Sequence, residues 1–333
     1  MAEAMQIFSA PLTFNWTLSY RCNFSCEHCY SRDEECPELA IDEIKRIVDV
    51  LAEQQVPFIN FGGGEPLIRK DIYEVAEYAA IKGLNVSMNT NGWLLDETTA
   101  MRLKDAGFKS VGVSIDSSEA TLHDAFRNMP GSYARAVRGL DALHHVGLKS
   151  TMSSVISRIN YQTFRKLLDL ARAHGVEQVY LHNFKCSGRG FKNREDLDLS
   201  PAEWQAFYLE ALSVKRRTDD LKISFDDPVI ASLPEYQEKT IVKGSNCGKL
   251  SLHLRPNGDI TPCGFIPVVV GNILKDDFES IWFDSPVLKA MRAKEATGKC
   301  SACAAFEDCQ GGCTARAFAT TGDFNQPDPH CWK

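Results

Sequence analysis

The N-terminal half of the chain alternates two hydrophobic patterns. Short apolar runs rich in β-branched and aromatic residues predict strands at 13–18, 56–61, 84–88, 110–115, 149–156 and 178–182. Between them apolar positions recur at helical spacing, predicting helices at 41–55, 71–82, 96–106, 133–145 and 161–174. Gly83, Gly107, Gly147 and Gly175 stand where four of these helices should stop, because glycine accepts a left-handed conformation. A further helix, 201–214, follows Ser200, a suitable N-cap. Repeated β-α units imply a parallel sheet with helices outside, and right-handed crossovers would curl it into an open, partial (β/α)6 barrel. Functional residues should then follow the strand ends.

The loops at those ends are distinctive. Cys22, Cys26 and Cys29 follow the first strand, GGGEP (Gly62 to Pro66) the second and NTNG (Asn89 to Gly92) the third, while SID (Ser114 to Asp116) closes the fourth. GGGEP taken alone reads equally well as a tight turn. Four such loops at one end of successive strands favour a single shared site for a cofactor lying across the sheet mouth.

Composition narrows the class. The chain has 333 residues, 44% hydrophobic and 24% charged, which suits one large domain or two. A net charge of −7 without a Lys/Arg-rich run argues against broad nucleic-acid or anionic-membrane binding. No apolar run approaches the roughly 20 residues that span a bilayer, and MAEAMQIFSA lacks a basic segment followed by an apolar one. A cytoplasmic location is therefore expected, with reduced thiols, so the twelve cysteines read as metal ligands rather than disulfide partners.

CxxxCxxC after the first strand, followed by GGEP after the second, resembles the radical S-adenosylmethionine (SAM) superfamily over roughly residues 13–184. The resemblance implies that Cys22, Cys26 and Cys29 ligate three irons of a [4Fe-4S] cluster, leaving the fourth iron for the amino and carboxylate groups of SAM. One electron would then cleave SAM to methionine and a 5′-deoxyadenosyl radical that abstracts hydrogen. Gly63, Gly64 and Glu65 would bind the methionine amino group, with the Glu65 carboxylate accepting from the ammonium. Asn91 and Ser114 would serve the ribose or methionyl end, and Arg127 would pair with the SAM carboxylate; by itself Arg127 also reads as a solvated helix residue. His28 occupies the position where the family usually places an aromatic residue near the adenine.

Seven further cysteines are ordered toward the C-terminus. Cys247 is followed by ten residues, Gly258, four residues and Cys263; then come Cys300, Cys303, Cys309 and Cys313, spaced CxxCxxxxxCxxxC, and finally Cys331. Spacing alone would also allow zinc. The arrangement, with GNILKDDFESIW between its two groups, resembles the seven-cysteine SPASM domain of radical SAM maturases. That resemblance implies two auxiliary Fe-S clusters, one held by Cys300, Cys303, Cys309 and Cys331, the other by Cys247, Cys263 and Cys313. The second set is one thiolate short. An open iron for substrate, a non-cysteine ligand and Cys186 are the alternatives, in that order. Cys36 reads as a small hydrophobe, whereas Cys186, in KCSGRG after the sixth strand, should face the barrel mouth.

Departures from the family restrict the substrate. Gly264 stands where some sulfatase-maturing relatives carry a general-base aspartate, which disfavours formylglycine formation. The stretch before Cys22 is too short for a leader-binding domain, so a leader would need a separate recognition protein or another surface. SGRG, Ser187 to Gly190, is similar to a loop of SPASM-type enzymes acting on tetrapyrrole side chains, and equally resembles a glycine turn with a solvated arginine. The expected organisation is a radical SAM core at 1–199, a bridging segment at 200–246 and a SPASM domain at 247–333. The expected activity is oxidation or cross-linking of a ribosomal peptide or protein side chain; the alternative is modification of tetrapyrrole side chains or another small-molecule cofactor precursor. An electron donor such as ferredoxin or flavodoxin is implied, and neither nucleic acid nor membrane is an expected partner. An electron-carrying or zinc-structured binding protein would explain the C-terminal cysteines but not GGGEP beside CxxxCxxC.

Overall fold

The computed structural model describes residues 8–31 and 33–333; the N-terminal stretch read above for targeting signals lies largely outside them. Seven strands run parallel in sequence order: β1 (Thr13–Ser19), β2 (Phe58–Gly63), β3 (Asn85–Thr90), β4 (Phe108–Ser114), β5 (Ser150–Ile156), β6 (Gln178–Asn183) and β7 (Lys222–Phe225). On the far side of β1 the sheet continues through β8 (Ser251–Leu254), which is parallel to β1, and then antiparallel through β9 (Asp259–Thr261) and β10 (Gly271–Asn272). The observed order is β10-β9-β8-β1-β2-β3-β4-β5-β6-β7.

The six strands expected from the sequence are all present, and the helices lie between them: α1 (Ile41–Glu53), α2 (Ile72–Ile81), α3 (Glu97–Asp105), α4 (Ala120–Arg127), α5 (Ser132–Val146) and α6 (Phe164–Ala173). In α1 the buried residues Ile44, Ile47, Val48 and Leu51 form one stripe at helical spacing. They meet Phe14, Trp16, Ile59 and Phe61 of the sheet in one continuous core. Gly83, Gly107, Gly147 and Gly175 take φ of 89, 89, 64 and 65°, as helix-terminating glycines do. Ser200 caps the helix Pro201–Lys215, accepting from the Glu203 N–H at 3.3 Å while Glu203 reaches back to the Ser200 N–H at 2.8 Å.

Two features differ from expectation. Between β4 and β5 there are two helices rather than one, because the chain reverses at Asn128 (φ 49°) and Gly131 (φ 81°). The Asp124 carboxylate secures that corner, accepting from the Gly131 N–H at 2.6 Å, the Ser132 hydroxyl at 2.8 Å and the Tyr133 N–H at 2.8 Å. Second, the sheet runs through all three sequence segments: the bridging segment supplies β7 and the cysteine-rich segment supplies β8, each pairing with an edge of the six-stranded sheet. Such short strands carry little periodicity, yet they cover two rows of backbone donors and acceptors.

Candidate functional site

A cavity of about 580 Å³ opens at the C-terminal ends of the parallel strands. Its wall contains Cys22, Cys26 and Cys29, the glycines and Glu65 of GGGEP, Asn91, Ser114 and Arg127. Every residue expected at the SAM end is therefore brought to one space. Cys247, Cys263 and Cys313 line the same cavity.

The cysteine loop is ringed by donors. The Phe24 N–H approaches Cys22 Sγ at 3.4 Å, Asn91 Nδ2 lies 3.9 Å from the same sulfur, and Ser31 Oγ lies 3.8 Å from Cys29 Sγ. Burial pushes the Cys26 thiol up to about 11 against the opposing pull of Arg127. Donors beside Cys22 and Cys29, together with a Cys26 thiol that burial keeps neutral by itself, fit cysteines that lose their protons to a metal.

GGGEP is built to come close, in the first instance to its own chain. Gly63 has φ 100°, where a Cβ would overlap the Thr17 side chain, and a Cβ on Gly64 would overlap the Arg21 carbonyl. The Glu65 carboxylate is buried and already engaged: it accepts from the Leu67 N–H at 3.1 Å, the Thr90 hydroxyl at 2.7 Å and the Asn91 N–H at 2.8 Å. Glu65 thus joins the GGGEP loop to NTNG. The Asn91 side chain in turn donates to Asn23 Oδ1 at 2.8 Å and accepts from the Trp93 N–H at 2.9 Å.

Arg127 is not a solvated helix residue. Its Nε donates to Asp116 Oδ2 at 2.6 Å, and both side chains are buried. Burial opposes the charge, but Asp116 and the neighbouring Cys26 outweigh it and hold the guanidinium charged. The His28 ring stacks on Phe126 with centroids 4.2 Å apart at 14°, and burial followed by Arg127 pushes its pKa down to about 3. It is a neutral aromatic wall.

SGRG has a role that the sequence did not disclose: it braces the cysteine loop. The Arg189 N–H donates to the Cys29 carbonyl at 2.9 Å, Arg189 Nη1 to the Ser25 carbonyl at 3.0 Å and Asn193 Nδ2 to the Glu27 carbonyl at 2.8 Å. Gly188 has φ 54°, and a Cβ there would overlap the Tyr30 carbonyl. Arg189 also pairs with Asp33 at 3.1 Å, so it is not a free solvated arginine.

The C-terminal thiols fall into the two expected sets. Cys300, Cys303, Cys309 and Cys331 line one separate cavity together with Gly311 and Gly312. Cys247 and Cys263 share one proton environment, the Cys263 thiol lowering that of Cys247 to about 7 and the Cys247 thiol raising that of Cys263, and Cys313 packs in the same cluster. All twelve cysteines are free thiols. Groups of three, three and four buried or half-buried thiols fit Fe-S ligation.

Cys186 departs from expectation. It does not line the cavity; its thiol turns inward and lies 3.3 Å from Asp198 Oδ2, beside His330, whose Nε2 is 2.7 Å from the same oxygen. The hydrogen bond to Asp198 draws it away from the barrel mouth. Cys36 lines neither cavity. The sequence reading missed several wall residues: Lys185, whose ammonium lies 3.8 Å from Asp226, His182, 3.2 Å from the same carboxylate, and His253. Lys185 and Asp226 follow β6 and β7, so strand position was the signal available for them.

The sequence matches the profile of the Radical SAM superfamily over residues 16–171 and that of an iron-sulfur cluster-binding domain, SPASM, over residues 246–305. It is 30% identical to the AdoMet-dependent heme synthase of Methanosarcina barkeri, over 97% of both chains. It is 31% identical to the mycofactocin maturase MftC of Mycobacterium ulcerans, over 97% of this chain and 88% of that one. The fold is similar to that of Streptococcus suis SuiB bound to S-adenosylmethionine, with a TM-score of 0.82 and 18% identity over 98% of this chain and 78% of the other. Taken with three thiols and a glycine-rich loop on one cavity wall, these matches show that the chain belongs to the radical SAM superfamily and is an enzyme using SAM, a [4Fe-4S] cluster and auxiliary Fe-S clusters in a SPASM domain.

Proposed function

We propose that this enzyme oxidatively modifies or cross-links a side chain of a ribosomally made peptide, held between its SAM end and its second set of cysteines. One observation carries the reading: Cys22, Cys26 and Cys29 share a single cavity with Cys247, Cys263 and Cys313. When bound, the first cluster and SAM supply a 5′-deoxyadenosyl radical. On this reading Gly63, Gly64, Glu65, Asn91, Ser114 and Arg127 position SAM. Arg127, fixed by Asp116, presents a buried positive charge suited to a carboxylate. Neutral His28 offers an aromatic face. The second set has three thiols and no fourth, and Cys186 faces elsewhere, which leaves room there for a donor atom of the substrate. The 31% identity to a peptide maturase supports the substrate class.

A second reading, tetrapyrrole side-chain modification, is favoured by the 30% identity to a heme synthase over 97% of both chains. One experiment separates the two. Anaerobically reconstituted enzyme is incubated with SAM, reductant and either deuterated candidate peptides encoded beside its gene or deuterated porphyrins bearing propionate side chains. Deuterium should appear in 5′-deoxyadenosine with a peptide. Transfer from a porphyrin alone would overturn the peptide reading in favour of the second.

A further inference from the structure

Beside the cavity of Cys300, Cys303, Cys309 and Cys331 lies a lysine ammonium without a hydrogen-bond partner among the described residues. Lys294 Nζ is buried and makes no hydrogen bond among the described residues. Its approach runs past Gly311, a residue at φ 75°: a Cβ there would stand 3.4 Å from Lys294 Nζ and 3.7 Å from Cys300 Sγ. The ammonium and the sulfur thus both border the space beside one residue that has no side chain.

Two carboxylates act on Lys294, Asp328 and the exposed Asp323, and both are committed: Asp323 accepts from the Asn325 N–H at 2.9 Å and from Gln326 Nε2 at 3.0 Å. The Asp328 carboxylate receives Arg316 Nε at 2.8 Å, the Cys313 N–H at 2.7 Å and the His330 N–H at 2.9 Å. Lys249, a buried lysine of the same region, donates to the Lys243 carbonyl at 3.0 Å and to Gln310, so it is satisfied, and the Lys294 charge adds to burial in disfavouring its own. In the protein alone burial outweighs the pull of Asp328, Cys313, Cys300 and Cys309 and lowers the Lys294 pKa, so the charge calls for a further anion beside it. An isolated buried charge is retained when a counter-charge faces it. Four thiolates around an Fe-S cluster carry that charge.

We infer that Lys294 is the electrostatic partner of the auxiliary cluster held by Cys300, Cys303, Cys309 and Cys331, stabilising its reduced form and so raising its reduction potential. Reduction adds one electron to the cluster and breaks no bond, and a positive charge fixed beside a sulfur ligand favours the more negative state. Lys294 is a positioning and tuning residue rather than a ligand. The inference rests on the assignment of those four cysteines to one cluster.

The test uses the full chain with Cys22, Cys26, Cys29, Cys247, Cys263 and Cys313 changed to Ala, so that only the cluster of Cys300, Cys303, Cys309 and Cys331 remains. Iron is counted, and the cluster is titrated with a reductant while its paramagnetic signal is followed. Lys294→Met and Lys294→Gln should retain the iron but make reduction about tenfold less favourable, equal to about 59 mV for one electron, while Lys294→Arg stays near the parent. An unchanged midpoint in both neutral variants overturns the inference. Iron loss in both, with Arg retaining it, also overturns it, because Lys294 would then serve assembly instead. Cys303→Ser, measured in parallel, should alter iron content or spectrum; if it alters neither, the cluster assignment itself fails, and the Lys294 inference with it.

Discussion

Glu65 spends its carboxylate on its own chain, whatever it offers a ligand. The chain gives its carboxylate three donors, from Leu67, Thr90 and Asn91, so its first effect is to lock two loops that line the cavity. Glu65→Ala would leave those donors buried without an acceptor, at about 1–3 kcal/mol for an unsatisfied group. We expect the variant to keep its cluster iron, to unfold at lower urea concentration and to bind SAM more weakly by equilibrium dialysis. Undiminished stability would show that the three hydrogen bonds contribute nothing, leaving only a direct contact to SAM.

At the scale of an element, the segment 188–193 acts as a brace across the cysteine loop. The brace depends on a residue without a Cβ at Gly188, since the backbone there is left-handed and faces the Tyr30 carbonyl. Gly188→Ala must strain that backbone or push Cys29 and Tyr30 aside, costing on the order of 1 kcal/mol from conformation alone. We expect it to lower the iron retained by the Cys22, Cys26 and Cys29 set while sparing the auxiliary clusters. Iron analysis in a background lacking the auxiliary cysteines reads this directly, and full retention would contradict the bracing role.

Across the whole molecule, a fully buried triad holds the cysteine-rich segment to the barrel. Arg316 Nη2 lies 2.7 Å from Asp227 Oδ1, and Arg316 also pairs with Asp328, with all three side chains at 0% exposure. The Tyr208 hydroxyl donates to Asp227 Oδ2 at 2.7 Å, so the helix Pro201–Lys215 is joined to the same network. Removing one partner of a buried pair costs about 3–5 kcal/mol, because the remaining charge is left uncompensated. Asp328→Ala should therefore lower the urea midpoint sharply and loosen both auxiliary sets, since Asp328 also accepts from the N–H groups of Cys313 and His330, the residue before Cys331. Loss confined to one set would show that the two are held independently.

The sequence alone sufficed for the local pattern: six strands, the helices between them except α4, the glycine stops and the Ser200 cap, whereas the grouping of the C-terminal thiols came from the family resemblance. These are properties of residues near one another in the chain, where periodicity and conformational preference act directly. The site residues also came out as one set, because a parallel sheet places its strand ends on one side. Which group each polar side chain faces was settled by folding instead. Glu65 meets Asn91 across 26 positions, Cys186 meets Asp198 rather than the cavity, Arg189 crosses 164 positions to reach Ser25, and β8 pairs with β1 from the far end of the chain. A short strand or a single charged residue has no period of its own, and its partner is chosen by burial and hydrogen bonding once the chain has folded.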